Sequence, residues 1–303
     1  LETWAKKIAE QELDAIYYPE IGLSAQVFRL ACLRLAPVQM TSWGNPLTSG
    51  LPTIDHFVSA QVFEDEDVQS FYTEQVHLLE GFPSYYERYQ GEEAAFDGRE
   101  FGLDFSKKLL LCAGTAFKYQ FNFAEHYADI AAANEGVQLV FFAYDKEMFG
   151  RVKARLEAVF SARAIERSKL VFMPWLSRAQ YQYLMRKSYL LLDSLGFSGI
   201  NTVLQALEVD LPVVMMRGEM LRGRLGSGVL EAVGLDDWVV HTRQAYVEQV
   251  SRLVKQAQLR DLYLEALCAV RDRMFHNCAP VDAFYAIVRK VCVQDKECSL
   301  ACQ

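Results

Sequence analysis

Two stretches, Lys108-Leu-Leu-Leu-Cys-Ala-Gly-Thr-Ala-Phe-Lys118 and Tyr189-Leu-Leu-Leu-Asp-Ser-Leu-Gly-Phe-Ser-Gly-Ile-Asn-Thr202, are built alike. Each is a short apolar run, long enough for a strand buried on both faces, followed by a loop of small and hydroxyl-bearing residues. Outward from them the pattern alternates. Strands are predicted at 108–112, 137–143, 169–172, 189–193 and 212–216, and helices at about 121–133, 146–160, 177–187 and 200–208. Strand–helix alternation of this kind implies right-handed crossovers and a parallel sheet, so the class is α/β. Ligands of such sheets bind at the carboxyl ends of the strands. Both loops lie there and suit an anion: Gly114, Thr115 and Lys118 in the first, and in the second small residues that let the backbone N–H groups of a helix start approach a phosphate.

Upstream, residues 1–13 read as an amphipathic helix with Trp4, Ile8 and Leu13 on its apolar side. A strand is expected at Asp14–Tyr18, a helix capped by Ser24, and a strand from Val38 to Trp43. The turn-rich GNPLTSGLP follows, then short strands around Phe57–Val58 and Val76–Leu79. The acidic run Glu64–Asp67 reads as a solvated helix start. Residues 81–105, rich in polar and aromatic side chains and poor in periodicity, read as a linker. The domain division is therefore 1–104, 105–280 and a C-terminal helix and tail at 281–303. In the last, Val281, Phe284, Ile287 and Val288 recur at helical spacing.

With 31 Lys and Arg against 39 Asp and Glu among 303 residues, the formal charge of −8 disfavours nucleic acid and anionic membrane surfaces as partners. No apolar run is long enough for a membrane span, and the first residues lack the basic start and apolar core of a signal peptide. Seven cysteines without a CxxC pair read as reduced thiols in a cytoplasmic protein. Cys292, Cys298 and Cys302 lack the histidine and paired spacing of a zinc site, and no metal is expected.

The stretch Ala36-Pro-Val-Gln-Met-Thr-Ser-Trp-Gly-Asn-Pro-Leu-Thr-Ser-Gly-Leu-Pro-Thr-Ile-Asp55 resembles the APxQxxWxGxPxTSGxxxxDY segment of the O-GlcNAc transferase family. Asp193–Glu219 is similar, without gaps, to that family's nucleotide-sugar segment, and Met220–Leu235 to the helix that follows. The likeness runs over about residues 10–290. It implies a GT-B fold, two Rossmann-like domains with parallel sheets. Their N-terminal, acceptor-side member would be incomplete here, its beginning lying upstream of Leu1. It also implies an inverting, metal-independent transfer of a sugar, hexose or GlcNAc, from a UDP-sugar to a protein or peptide side chain, Asn or Ser/Thr. The UDP-sugar would be a co-substrate and no cofactor is implied.

Position by position, the resemblance places Thr115 and Lys118 against the donor diphosphate and Gly199, Asn201 and Thr202 in the loop contacting the phosphates. Arg178 and Tyr181 fall beside the uracil, and Trp43 and Gly44 in a loop facing the sugar. No residue is implied as the catalytic base. Where O-GlcNAc transferases read GHTTGMD, this chain reads Gly199-Ile-Asn-Thr-Val-Leu-Gln205, so Ile200 replaces a histidine and Gln205 the carboxylate expected on the ribose. Those departures leave an alternative, a non-catalytic relative that holds a nucleotide or binds a partner. Phe197 and the GTxxK of the first loop look more like the adhesin N-glycosyltransferases, and a ring at 197 would crowd an N-acetyl arm. His56, His77, His126, His241 and His276 are expected to be structural or surface groups. The glycines of Gly223-Arg-Leu-Gly-Ser-Gly228 stand in the reverse order of a dinucleotide fingerprint and read as close-approach residues beside the cleft.

Overall fold

The computed structural model describes residues 1–119, 122–143 and 146–301, without the side chains of Lys146 and 295–301. Phe121, where a helix was expected to begin, and the thiols of Cys298 and Cys302 thus lie outside the described residues. The chain parts into two compact units, residues 1–85 with 277–303 and residues 86–276.

The first unit runs α1 (Glu2–Ala9), β1 (Ala15–Tyr18), α2 (Ala25–Ala31), β2 (Val38–Ser42), β3 (His56–Ala60) and β4 (Gln75–Leu79). Its four strands are parallel in the order β1-β2-β3-β4. Ser24 caps α2 as expected, accepting from the Val27 N–H at 3.4 Å. Helix α1 is shorter than its pattern suggested and buries no residue. Ala5 and Ile8 touch the core formed by Tyr18, Ile21 and Leu30, while Trp4 is 55% exposed. Glu64 does not start an α-helix. Its carboxylate accepts from Ser59 Oγ at 2.5 Å and Tyr72 OH at 2.7 Å, tying the β3–β4 crossover together.

Strand β2 is buried along its whole length although Gln39, Thr41 and Ser42 are polar. Buried polar groups must find partners, and these do. Gln39 Oε1 accepts from Leu35 N–H at 2.9 Å, and its Nε2 donates to Leu33 and Thr53 carbonyls at 3.0 and 2.7 Å. Thr41 Oγ1 donates to Tyr18 O at 2.8 Å. The loop after β2 is fastened to Glu74, which is 1% exposed and accepts from Thr48 Oγ1 and the Ser49 N–H at 2.7 Å each, and from Ser49 Oγ. Burial pushes the Glu74 carboxyl up, but these hydrogen bonds outweigh it and hold it below its ordinary value.

The second unit runs β5 (Lys108–Cys112), α3 (Phe123–Ala133), β6 (Val137–Ala143), α4 (Lys146–Ala162), β7 (Leu170–Pro174), α5 (Arg178–Lys187) and β8 (Leu190–Leu192). It continues through α6 (Ile200–Glu208), β9 (Val213–Met216), α7 (Leu221–Val233), β10 (Val239–Val240), α8 (Arg243–Lys255) and α9 (Ala257–Val270). The parallel strands lie in the order β10-β9-β8-β5-β6-β7. Strand order therefore reverses between β5 and β8, where the two loops quoted first emerge side by side. Leu109–Cys112 and Leu190–Leu192 are all buried, as continuous apolar runs in a helix-covered parallel sheet should be.

The boundaries differ from those expected. Division falls after Tyr85 rather than at 104, and after His276 rather than at 280. Residues 86–105 are no free linker. Their aromatic side chains bind them to the second unit, Phe96 and Phe105 each lying 6.0 Å from the Tyr183 ring. Gln138 receives the Asp104 N–H and donates to the Gly102 carbonyl, both at 2.9 Å. The final helix, α10 (Ala279–Ala301), belongs to the first unit, where Phe284 meets Tyr17 edge-on at 4.8 Å.

Candidate functional site in the second unit

A cavity of about 410 Å³ opens at the carboxyl ends of β5, β6 and β7. It is continuous in its lining with a narrow cleft between the β5 and β8 loops, the two sharing Ala113, Gly114 and Thr202.

One end is aromatic and cationic. Ser177 caps α5, accepting from the Gln180 N–H while Gln180 reaches back to the cap's own N–H, and this box fixes where Arg178 starts the helix. Arg178 lies over the Tyr89 ring at 4.4 Å. Tyr181 packs edge-on against Phe142 at 5.4 Å, and burial raises its phenol above the ordinary value. Trp175, 68% exposed, completes this wall. It was not anticipated from sequence. Its signal would have been its place one residue past a strand at the sheet's binding end.

The other end is polar. Thr115 Oγ1 is buried without a hydrogen-bond partner among the described residues. Lys118 Nζ donates to the Ser198 carbonyl at 3.0 Å and lies 5.0 Å from the Phe197 ring. Burial lowers the Lys118 ammonium from its usual value, partly offset by Asp193. Gly199, the N-cap of α6, permits this approach, since a Cβ there would stand 2.9 Å from Lys118 Nζ. Beneath the loop, Asp193 is 8% exposed, and burial raises its carboxyl to about 6 against hydrogen bonds from Ser198, Ser194 and Gly199. Ser198 Oγ donates to Asp193 and accepts the Gly226 N–H at 2.8 Å. A Cβ at Gly226 would meet that hydroxyl at 2.4 Å, so the small residues of α7 do serve close approach to the loop.

Thr115, Arg178, Tyr181, Thr202 and Gln205 thus line the cavity, and Lys118 and Gly199 the adjoining cleft. Asn201 is exposed on the first turn of α6 and lines neither. Phe197 lines neither as well. Half-buried, it packs edge-on against Phe117 at 5.5 Å. Gln205 is hydrogen-bonded to the Tyr86 side chain, whose phenol burial raises. Trp43 and Gly44 stand at the end of β2 in the first unit, where Trp43 meets Phe63 at 5.5 Å. A Cβ on Gly44 would lie 2.1 Å from the Pro19 carbonyl, which excludes any other residue. His56 and His77 pair through Nδ1 and Nε2 at 3.1 Å, and burial, then His56 and Lys290, lower His77 to about 4.

No protein-family model matches the chain, and no curated protein matches it in sequence. Solved structures match its fold. A variant of the Thermobaculum terrenum O-GlcNAc transferase superposes with a TM-score of 0.83 at 20% identity, over 98% of this chain and 56% of that one. TarM superposes at 0.60 and 9% identity, over 94% and 57%. The pneumococcal O-GlcNAc transferase GtfA, solved with UDP and GlcNAc, superposes at 0.54 and 11% identity, over 96% and 59%. The chain spans little more than half the length of these structures. Its fold is the GT-B fold of O-GlcNAc transferase-like glycosyltransferases, with two parallel-sheet α/β units. No helix among the described residues is long and apolar enough to cross a membrane.

Proposed function

We propose that the second unit binds the donor of a cytoplasmic, metal-independent, inverting glycosyltransferase that moves a sugar from a UDP-sugar to an Asn or Ser/Thr side chain. One observation carries the reading. At the switch point of a parallel sheet, a cavity with an aromatic wall suited to a flat base and a hydroxyl unpaired among the described residues leads into a cleft with a lysine and a helix start. In this reading uracil lies along Trp175, Tyr181 and Arg178. The diphosphate lies against Thr115, Lys118 and the α6 turn of Gly199, Asn201 and Thr202. Charge grows on the departing UDP as the glycosidic bond breaks. The Lys118 ammonium and the positive end of α6 are already oriented towards it, so they stabilise the transition state more than the ground state. Trp43 and Gly44 are assigned to the sugar by resemblance alone, and no residue is assigned to take the acceptor's proton.

Phe197 bears on the choice of sugar. Its ring, held by Phe117 and Lys118, would leave room for a plain hexose and crowd an N-acetyl arm, an overpacking worth about 1–3 kcal/mol. Better turnover of UDP-GlcNAc than of UDP-glucose by the wild type would reject this preference. A second reading, a subunit that holds the nucleotide without catalysis, is favoured by Gln205, which meets Tyr86 where a ribose-gripping carboxylate was expected. Calorimetry with UDP, ADP and GDP tests the site itself. UDP alone should bind, and no heat at millimolar UDP would reject both readings. Transfer or hydrolysis of a UDP-sugar then separates enzyme from holder.

A further inference from the structure

On the far side of the 193–199 loop lies a second cavity, of about 500 Å³, which the donor reading does not use. Three helices begin at its wall. Asn122, Phe123 and His126 line it from the start of α3, Met220, Arg222 and Gly223 from the start of α7, and Arg243 from the start of α8. Neither Asn122 nor Met220 caps its helix through a side chain, and of the first-turn N–H groups of α7 Gly223 turns back to the Met220 carbonyl at 2.8 Å, so no side chain answers those of Leu221 and Arg222 or the start of α3. Three helix starts bordering one space, two of them without a side-chain cap, favour negative charge there.

The side chains agree. His126 is only 8% exposed, yet its Nδ1 has no hydrogen-bond partner among the described residues. An unpaired buried ring nitrogen is costly unless something fills the space beside it. The Arg222 guanidinium enters no hydrogen bond or ion pair among the described residues, and Arg243 makes one long contact, 3.3 Å to the Asn122 carbonyl. Arg217 is committed elsewhere, forked on Glu231 at 2.8 and 2.9 Å. Arg222 and Arg243 therefore outweigh the single carboxylate in the wall, Glu219, and His241 adds a further imidazole.

We propose that this cavity is an oxyanion site, taking a phosphate or carboxylate group between His126, Arg222 and the starts of α3 and α7. Burial, then the neighbouring Arg243, hold His126 down to about 4, opposed by Asp129 and Glu125. A bound anion reverses the Arg243 effect and gives the imidazolium a partner, so it should raise the titration of His126.

Histidine side-chain NMR of the whole chain, titrated with inorganic phosphate in the presence of saturating UDP, tests this. Phosphate should move His126 and His241, and raise the His126 midpoint by at least one pH unit. Arg222→Gln should weaken phosphate at least tenfold while leaving UDP affinity within twofold of wild type. Repeating the titration without UDP, with UDP-glucuronate against UDP-glucose, tells a free anion from a carboxylate carried by the donor sugar. Only a donor-borne group makes UDP-glucuronate shift the two histidines where UDP-glucose does not. No histidine shift with any of these anions, or equal phosphate affinity in wild type and Arg222→Gln, overturns the proposal. So does a phosphate shift that is seen without UDP and abolished by saturating UDP, which would make the two cavities one site.

Discussion

The two segments that most resemble glycosyltransferases behave in opposite ways. Residues 36–55 of the first unit are filled with polar side chains whose hydrogen-bonding capacity is taken up by the chain itself. Gln39 makes three bonds, Asp55 receives the Arg34 fork and the Gln39 N–H, and Thr48 and Ser49 are spent on Glu74. The loops around Thr115 and Gly199 in the second unit keep capacity in reserve: among the described residues, a buried hydroxyl without a partner, a half-buried lysine whose hydrogen bond goes to one carbonyl, and a helix start without a side-chain cap. A motif can therefore be a peg or a socket. Satisfaction of its polar groups distinguishes the two, because a buried group without a partner is retained only where something else supplies one.

Substitutions should divide along the same line. The largest effect is expected at a peg. Glu74→Ala leaves the Thr48 and Ser49 donors unanswered in a buried place and should cost about 3 kcal/mol of stability by urea denaturation. UDP affinity per folded molecule should stay unchanged, and a binding defect in the folded fraction would break the distinction.

Asp193 lies under the socket and gives a pH signature. Its folded value near 6 exceeds its ordinary 3.8, so the folded state binds more protons between those values. Its contribution is then most favourable below pH 4 and falls by about 3 kcal/mol as pH rises through 6. His126 works in the opposite sense, its folded value near 4 costing stability as pH falls below 6.5. The difference between wild type and Asp193→Asn across pH 4–7 isolates the first effect, and a flat difference would show that Asp193 is not held neutral.

Smaller effects belong to the socket. Lys118→Ala should weaken UDP by about 1.5–3 kcal/mol, the scale of a charged hydrogen bond, and unchanged affinity by calorimetry would remove the diphosphate from this cleft. Thr115→Val should weaken UDP by about 1 kcal/mol yet leave stability unchanged or slightly higher, since the lost hydroxyl has no partner among the described residues. A destabilised Thr115→Val would make Thr115 another peg.

The local pattern decided a good deal. The alternation of apolar runs and amphipathic stretches from Lys108 to Met216 was enough for the parallel sheet. A strand buried on both faces must be continuously apolar, and each crossover needs a helix. Ser24 and the small residues of α7 were legible for similar reasons, a cap and a close approach acting within a few residues or through size alone. Position at strand ends singled out Thr115, Lys118 and Thr202, and the resemblance alone added Arg178, Tyr181 and Gln205; the structure has all six lining the cavity or the cleft beside it.

What tertiary structure decided involves partners distant in the chain. Residues 86–105 look like a linker until Phe96 and Phe105 meet Tyr183, and Trp4 looks like a core residue until α1 proves to bury no residue. Asn201, one position from Thr202, turns outward because successive helical residues point about 100° apart. Trp175 and His126 had no motif to mark them. One became a cavity wall and the other an unpaired buried imidazole through the convergence of helix starts and strand ends. Local sequence sets which elements form, because propensity and burial periodicity act over a few residues. Which polar groups find partners, and which are left for a ligand, is set only when segments far apart in the chain come together.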